Sequence, residues 1–225
     1  MSDRLENWTK CAEPNLRYVK GRHVTVEPVD FTHDAEALFN TVGGKANADL
    51  WRYIPIGPFD NADDMGAVFK RFAEKENWRT HVIRSLSGDV LGMASYMRLR
   101  PAAGSIEVGC IVYSKQLQRT PAATEVMYLM ASHIFDDLGY RRYEWKCNNA
   151  NDGSKRAALR LGFVPEGVFR QDQVMKGENR DTAWFSMLDK EWPQAKAAFE
   201  AWLDAENFDE DGQQKRSLTD IRAVL

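Results

Sequence analysis

Cysteine is scarce: Cys11, Cys110 and Cys147 are the only three in 225 residues. An odd count without metal-ligand spacing argues against both a disulfide framework and a zinc site. Cys110 and Cys147 fall inside apparent strands and read as small buried hydrophobes. No apolar run approaches the roughly 20 residues needed to cross a bilayer. The opening MSDRLENWTK also lacks the apolar centre of a secretory signal, so the expectation is a cytoplasmic protein without a membrane partner. Neither sign of charge dominates, with 30 basic and 33 acidic residues and a formal charge of −3. Nucleic acid is therefore not an expected partner. Internal repeats and low-complexity tracts are lacking too.

What is present is material for a core, with 44% hydrophobic and 11% aromatic residues. One domain with appendages is expected: an N-terminal arm over 1–21, a main domain over 22–190, and a C-terminal helix and tail over 191–225. HVTVEPV (23–29) alternates like a strand, and a helix is predicted from His33 to about Val42 before Gly43-Gly44. LWRYIPIGPF (50–59) is too rich in Pro and Gly to be regular, and its aromatics suggest either a pocket wall or a loop covering the core. Asn61–Asn77 has a helical pattern. Strands are predicted at 78–85, 90–99, 106–113 and 140–147, with helices at 121–138 and 154–163. A hairpin of 168–175 and 182–188 turns around KGENR. Pro193 suits the first turn of a helix. The last residues read as a loosely held tail whose Leu218, Ile221 and Val224 could dock on the body or on a second subunit. The order of elements gives an α/β fold with a mixed sheet.

Within QLQRTPAATEV (116–126), Thr120 is a candidate N-cap and Pro121 a candidate first helical residue. The amides of Ala122, Ala123 and Thr124 would then face an anion, with Gln118 and Arg119 adding side-chain donors. A capped structural helix explains the same residues. The succession IEVGCIVY, QRTPAATEV, YEWKC, Asn148–Ser154 and a helix ending in Gly162-Phe163 resembles the GNAT superfamily of acetyl-CoA-dependent N-acyltransferases. That resemblance covers roughly residues 22–190. It implies a mixed, mostly antiparallel central sheet flanked by helices on both faces. It also implies a coenzyme A pyrophosphate at Gln118-x-x-Pro121-x-Ala123, where Pro121 replaces the family's central glycine and removes one donor. Asn151-x-x-Ser154 is similar to the family's second coenzyme A segment, although Ala158 stands where a tyrosine is common. The Asn-x-x-Ser form, with Leu161-Gly162-Phe163 and Phe169-Arg170-Gln171, is closest to the branch that acetylates ribosomal-protein N-terminal alanine and serine.

Acetyl transfer to an amine needs a base, a polarised carbonyl and a proton for the departing thiolate. Glu107, projecting oppositely to Ile106 and Val108, is the first candidate base, and a surface carboxylate or substrate-charge partner is the competing reading. Asp172, after Phe-Arg-Gln, is the second. The resemblance implies that a backbone amide among Cys110, Ile111 and Val112 polarises the carbonyl. It also implies that the Ser154 hydroxyl serves the thiolate; helix capping would equally explain Ser154. Trp51, Arg52, Tyr53, Glu107 and Arg170 are candidate substrate contacts. The expected activity is direct acetyl transfer from acetyl-CoA to a primary amine, either a protein N-terminus or a small molecule. A non-catalytic acyl-CoA-binding module is the alternative, and a homodimer is the assembly that the C-terminal extension suggests.

Overall fold

The computed structural model describes residues 5–225, so residues 1–4 of the expected arm lie outside the described region. The chain forms eight strands: β1 (Val19–Lys20), β2 (Val24–Pro28), β3 (Arg79–Ser85), β4 (Val90–Arg100), β5 (Ser105–Tyr113), β6 (Arg142–Asn148), β7 (Val164–Met175) and β8 (Glu178–Leu188). They make one sheet in the order β1-β2-β3-β4-β5-β6-β8-β7. Every neighbouring pair is antiparallel except β5 and β6, which run parallel. Among the described residues six α-helices accompany it: α1 (Phe31–Val42), α2 (Ala62–Glu76), α3 (Pro121–Ser132), α4 (Asp152–Leu161), α5 (Trp192–Leu203) and α6 (Leu218–Ala223).

Two clusters of buried side chains lie on opposite faces of the sheet. Val26, Ile83, Tyr96, Ile106, Tyr143 and Trp145 pack with residues of α3, α4 and α5. On the other face Val82, Met93 and Val112 pack with Leu38, Trp51, Met65 and Phe69 from α1, α2 and their connection. Alternation sends neighbours such as Val82 and Ile83 of β3, and Met93 and Ala94 of β4, to opposite cores, whereas in β5 Ile106 and Val108 face one core and Val112, at the same parity, the other.

Helix starts follow the local chemistry. Asp30 caps α1, Asn61 caps α2 and Thr120 caps α3, each accepting an amide of the first turn. Three expectations are corrected. The helix predicted over 121–138 is α-helical only to Ser132, and His133–Asp137 continues it as a π-helical turn. The hairpin strands start earlier, at Val164 and Glu178, because the pairing of β7 with β8 reaches back to the end of α4. The tail is not loosely held: Leu218 and Ile221 of α6 are buried, and Arg222 donates to the carbonyls of Leu159 and Arg160 at the end of α4. Val224, named with them, stays exposed.

The described part of the arm lies on the body. The Trp8 indole donates to Ala102 O, Leu16 joins the core, and β1 lengthens the sheet.

Candidate active site

The parallel pair β5–β6 is the shortest seam among the long strands. It runs only from Ser105↔Arg142 to Val108↔Trp145, although both strands continue beyond it. The cause lies in β5. Its register against β4 slips between Met93 and Ser95, and Cys110 adopts a left-handed φ of 46°. This bulge bends β5 away from β6. It is accommodated by Gly92 on β4, where an added Cβ would lie 2.4 Å from Val112 O. The stretch of β5 containing Cys110, Ile111 and Val112 therefore has no strand on its β6 side. A gap lined by main-chain groups suits an extended ligand that carries amides of its own.

Beyond the gap the chain turns into α3. Here the expectation of three free amides at Ala122, Ala123 and Thr124 is corrected. The Thr120 hydroxyl accepts the Ala123 N–H at 3.2 Å and donates to Leu117 O at 2.6 Å. Thr124, fourth in the helix, lies one place past the turn whose amides lack an intrahelical acceptor. Its hydroxyl accepts from Arg160. The Ala122 amide stays open at the helix start, and those of Arg119 and Thr120 join it, because Arg119 turns through a φ of 63°. Gln118 is also corrected as a donor: its side-chain amide donates to Tyr113 O at 2.9 Å and closes the loop. The Arg119 guanidinium is exposed and has no partner among the described residues. Open amides, the helix dipole, methyl side chains and one free cation fit a pyrophosphate. Pro121 occupies the first helical position, where an N–H is least missed.

On the opposite side of the gap Asn151 caps α4 by accepting the Ser154 amide at 3.0 Å. Capping thus belongs to Asn151, and the Ser154 side chain is left for another task. Its oxygen accepts the Trp145 indole N–H at 2.9 Å, which leaves its own hydrogen to donate, and the Cys147 sulfur lies within hydrogen-bond reach of it. Burial pushes the thiol of Cys110 up to about 12 and that of Cys147 upward as well. Both are therefore held as poor nucleophiles.

Glu107 lies on the face of β5 opposite Ile106 and Val108. It is no surface carboxylate, being only 4% exposed. Its Oε2 is 2.9 Å from both Lys146 Nζ and Arg98 Nε. Burial pushes its pKa up, against the opposing pull of those two cations. Lys146 is shared with Glu144 at 3.0 Å, and its ammonium sits 3.8 Å above the centre of the Trp184 ring. Glu144 behaves differently. Burial disfavours its charge, yet Arg142 and Lys146 outweigh burial and hold it near about 2. Sequence reading passed over Lys146 and Glu144, although the alternation of YEWKC puts both on the Glu107 face.

The remaining candidates are scattered. Trp51 is corrected as a substrate contact: it is wholly buried in the second core and its indole donates to Val42 O at 2.6 Å. Tyr53 is half-buried, with exposed Arg52 over its ring. Arg170 lines an open cleft of 680 Å³ with Gln171, Asn179 and Asp181. Asp172 is exposed where β7 loses register between Phe169 and Gln173. The β7–β8 turn reaches back over this face, where Lys176 donates to the carbonyls of Trp51 and Gly57.

Comparison with known proteins bears on this geometry. The family model described as an acetyltransferase (GNAT) domain matches residues 23–164. A crystal structure of a GCN5-related N-acetyltransferase from Brucella melitensis is 41% identical. It superposes with a TM-score of 0.91, over 97% of this chain and 100% of that one. The uncharacterized N-acetyltransferase YoaA of Bacillus subtilis is 26% identical over 159 residues, 69% of this chain and 88% of YoaA. A ribosomal N-acetyltransferase-like protein of the same organism, YdaF, is 25% identical over 105 residues, 47% of this chain and 57% of YdaF. The matched span runs from the start of β2 to the start of β7, through the bulged strand and both helix starts: the chain belongs to the GNAT family of N-acetyltransferases.

Proposed function

We propose that the protein moves an acetyl group from acetyl-CoA directly to a primary amine, with Glu107 as the base. The observation that carries this reading is a buried carboxylate of raised pKa on the strand that borders the gap. Bound in that gap, acetyl-CoA supplies an activated acyl group. The amides of Arg119, Thr120 and Ala122, with the Arg119 side chain, hold its pyrophosphate. Main-chain groups of Cys110–Val112 orient the thioester and polarise its carbonyl. Glu107 takes the proton of the incoming ammonium, so that a neutral nitrogen faces the carbonyl. The Ser154 hydroxyl, oriented by Trp145, donates to the departing sulfur. Asp172 is the second choice of base, because it is exposed on β7 whereas Glu107 is buried beside the gap.

The acceptor we infer is the α-amine of a peptide or amino acid, which the likeness to YdaF favours over other small amines. We further read the protein as cytoplasmic and as a homodimer. Long, exposed β7, with Val164, Val168 and Phe169 bare to solvent, offers the surface for a second subunit. Among the described residues no helix is long and apolar enough to cross a membrane.

The test follows thiol release from acetyl-CoA across peptides with Ala or Ser at the N-terminus, free amino acids and polyamines. Release with the α-amines is expected. Tight coenzyme A binding with no release on any amine would instead identify an acyl-CoA-binding module.

A further inference from the structure

Three consecutive same-face positions of β8 carry hydrogen-bond donors with no acceptor. Arg180 Nε, the Thr182 hydroxyl and the Trp184 indole N–H are all buried and unpartnered. Residues two apart on a strand share a face. The pairings Lys146↔Trp184 and Asn148↔Thr182 put that face on the same side as Lys146, and Lys146 reaches Glu107. The row thus extends from the candidate base toward the β7–β8 turn.

Charge counting singles out Arg180. Four other cations on this face have carboxylate partners: Arg98 with Glu107, Arg100 and Arg142 with Glu144, and Lys146 with both. Arg180 has no carboxylate oxygen within 4.0 Å among the described residues. Its one bond is to the weak acceptor Met175 Sδ at 3.8 Å. Yet Arg180 is only 9% exposed. A buried guanidinium without a counter-ion is costly, and an anion arriving from outside would remove that cost. Asp172 and Glu107 lie close enough to favour its charge without touching it.

We propose that Arg180 and Thr182 form an anion subsite that takes a carboxylate carried by the acceptor amine, with Trp184 donating to a further oxygen of the same molecule. This rests on the reading of the Glu107 face as the acceptor's face. The planar guanidinium fork matches a carboxylate, and a hydroxyl on the next same-face residue reaches its second oxygen. Trp184 lies about 13 Å further along the strand from Arg180, too far to share that carboxylate, so it meets a carbonyl. The carboxylate has two sources: that of a free amino acid, or an acidic side chain beside a peptide N-terminus.

Calorimetry of the protein loaded with coenzyme A separates them. One pair of probes is alanine and alaninamide; the other is the dipeptide Ala-Glu and its neighbour Ala-Gln, both as C-terminal amides. In at least one pair the acid is expected to bind tenfold or more tightly than its amide, and that pair identifies the source. Arg180→Gln is expected to bring the ratio within twofold, and Arg180→Lys, which keeps charge without the fork, to lower it at least threefold. Melting temperatures report whether each variant folds; if Arg180→Gln does not, Arg180→Lys carries the test. Ratios within twofold in both pairs for the unmodified protein, or an acid preference in a folded Arg180 variant undiminished from that of the unmodified protein, overturn the subsite. Thiol release without acid preference would remove the subsite and leave acetyl transfer standing. Acid-selective binding without release would do the reverse.

Discussion

A carboxylate that must accept a proton near neutral pH and one that must hold cations in place need opposite surroundings, and Glu107 and Glu144 occupy them on adjacent strands. Glu144 is kept anionic by Arg142 and Lys146 and serves as the fixed counter-charge. Glu107 is buried enough for its proton affinity to rise. A base works when ionised, so the rate should fall as pH drops through the raised pKa of Glu107. That acid limb should lie above the ordinary carboxylate value of 4.5. We predict that Glu107→Gln lowers kcat about 10²–10⁴-fold and removes the limb. A pH–rate profile decides it, and an unchanged limb would move the role elsewhere. Glu107 was legible in the sequence because alternation within IEVGCIVY turns it away from Ile106 and Val108. Arg180 was not, because KGENR reads locally as the solvated tip of a hairpin, and only the folded sheet, where Arg180 pairs with Gln173 of β7, shows it buried. Trp51 misled for the converse reason: Pro and Gly neighbours suggest a surface loop, and nothing local reveals that its indole is wedged under α1.

At the level of elements, α3 is held at both ends of its first turn. Thr120 and Pro121 give its start, and both were readable because capping and the φ of proline are local properties. The fate of individual amides was not readable, since the same Thr120 hydroxyl that caps the helix consumes the Ala123 N–H. Behind the turn, buried Glu125 accepts the backbone N–H groups of Arg22 and His23 at 2.7 Å and of Val24 at 3.1 Å. It thereby ties the β1–β2 turn to the helix whose start is the candidate anion site. Glu125→Ala would leave these donors unsatisfied, at a cost of about 3 kcal/mol. The melting temperature should drop by roughly 10 °C; a drop under about 2 °C would show that water replaces the carboxylate without loss.

For the whole molecule, the order and type of elements from β2 to α5 were legible because strand alternation and glycine stops recur there, whereas β1 and α6 were not. A free amide among Cys110–Val112 was expected only through family resemblance, and the opening of the β5–β6 seam beside it depends on a bulge between β4 and β5 that neither strand announces. One buried group couples the entire fold to pH. His81 lies in the core with Tyr96 at its ring, and burial lowers its pKa from 6.5 to about 4. The unfolded chain therefore takes up a proton near pH 6.5 and the native chain only near 4. Stability conferred by the neutral ring is complete above pH 6.5 and is lost as pH falls toward 4, by about 3 kcal/mol over the window. Urea unfolding at pH 7 and pH 4.5 should show this loss in the natural protein and a smaller one in His81→Gln; equal losses would acquit the histidine.

The gap between β5 and β6 has a last implication. The sheet is in effect two plates, β1 to β5 and β6 to β8, joined by four residue pairs across one short seam. A ligand chain laid along the unpaired edges would act as a fragment of ninth strand and lengthen that hinge. Occupancy of the gap and cohesion of the two plates would then be one quantity, and slower amide hydrogen exchange along β5 and β6 is expected once coenzyme A is added.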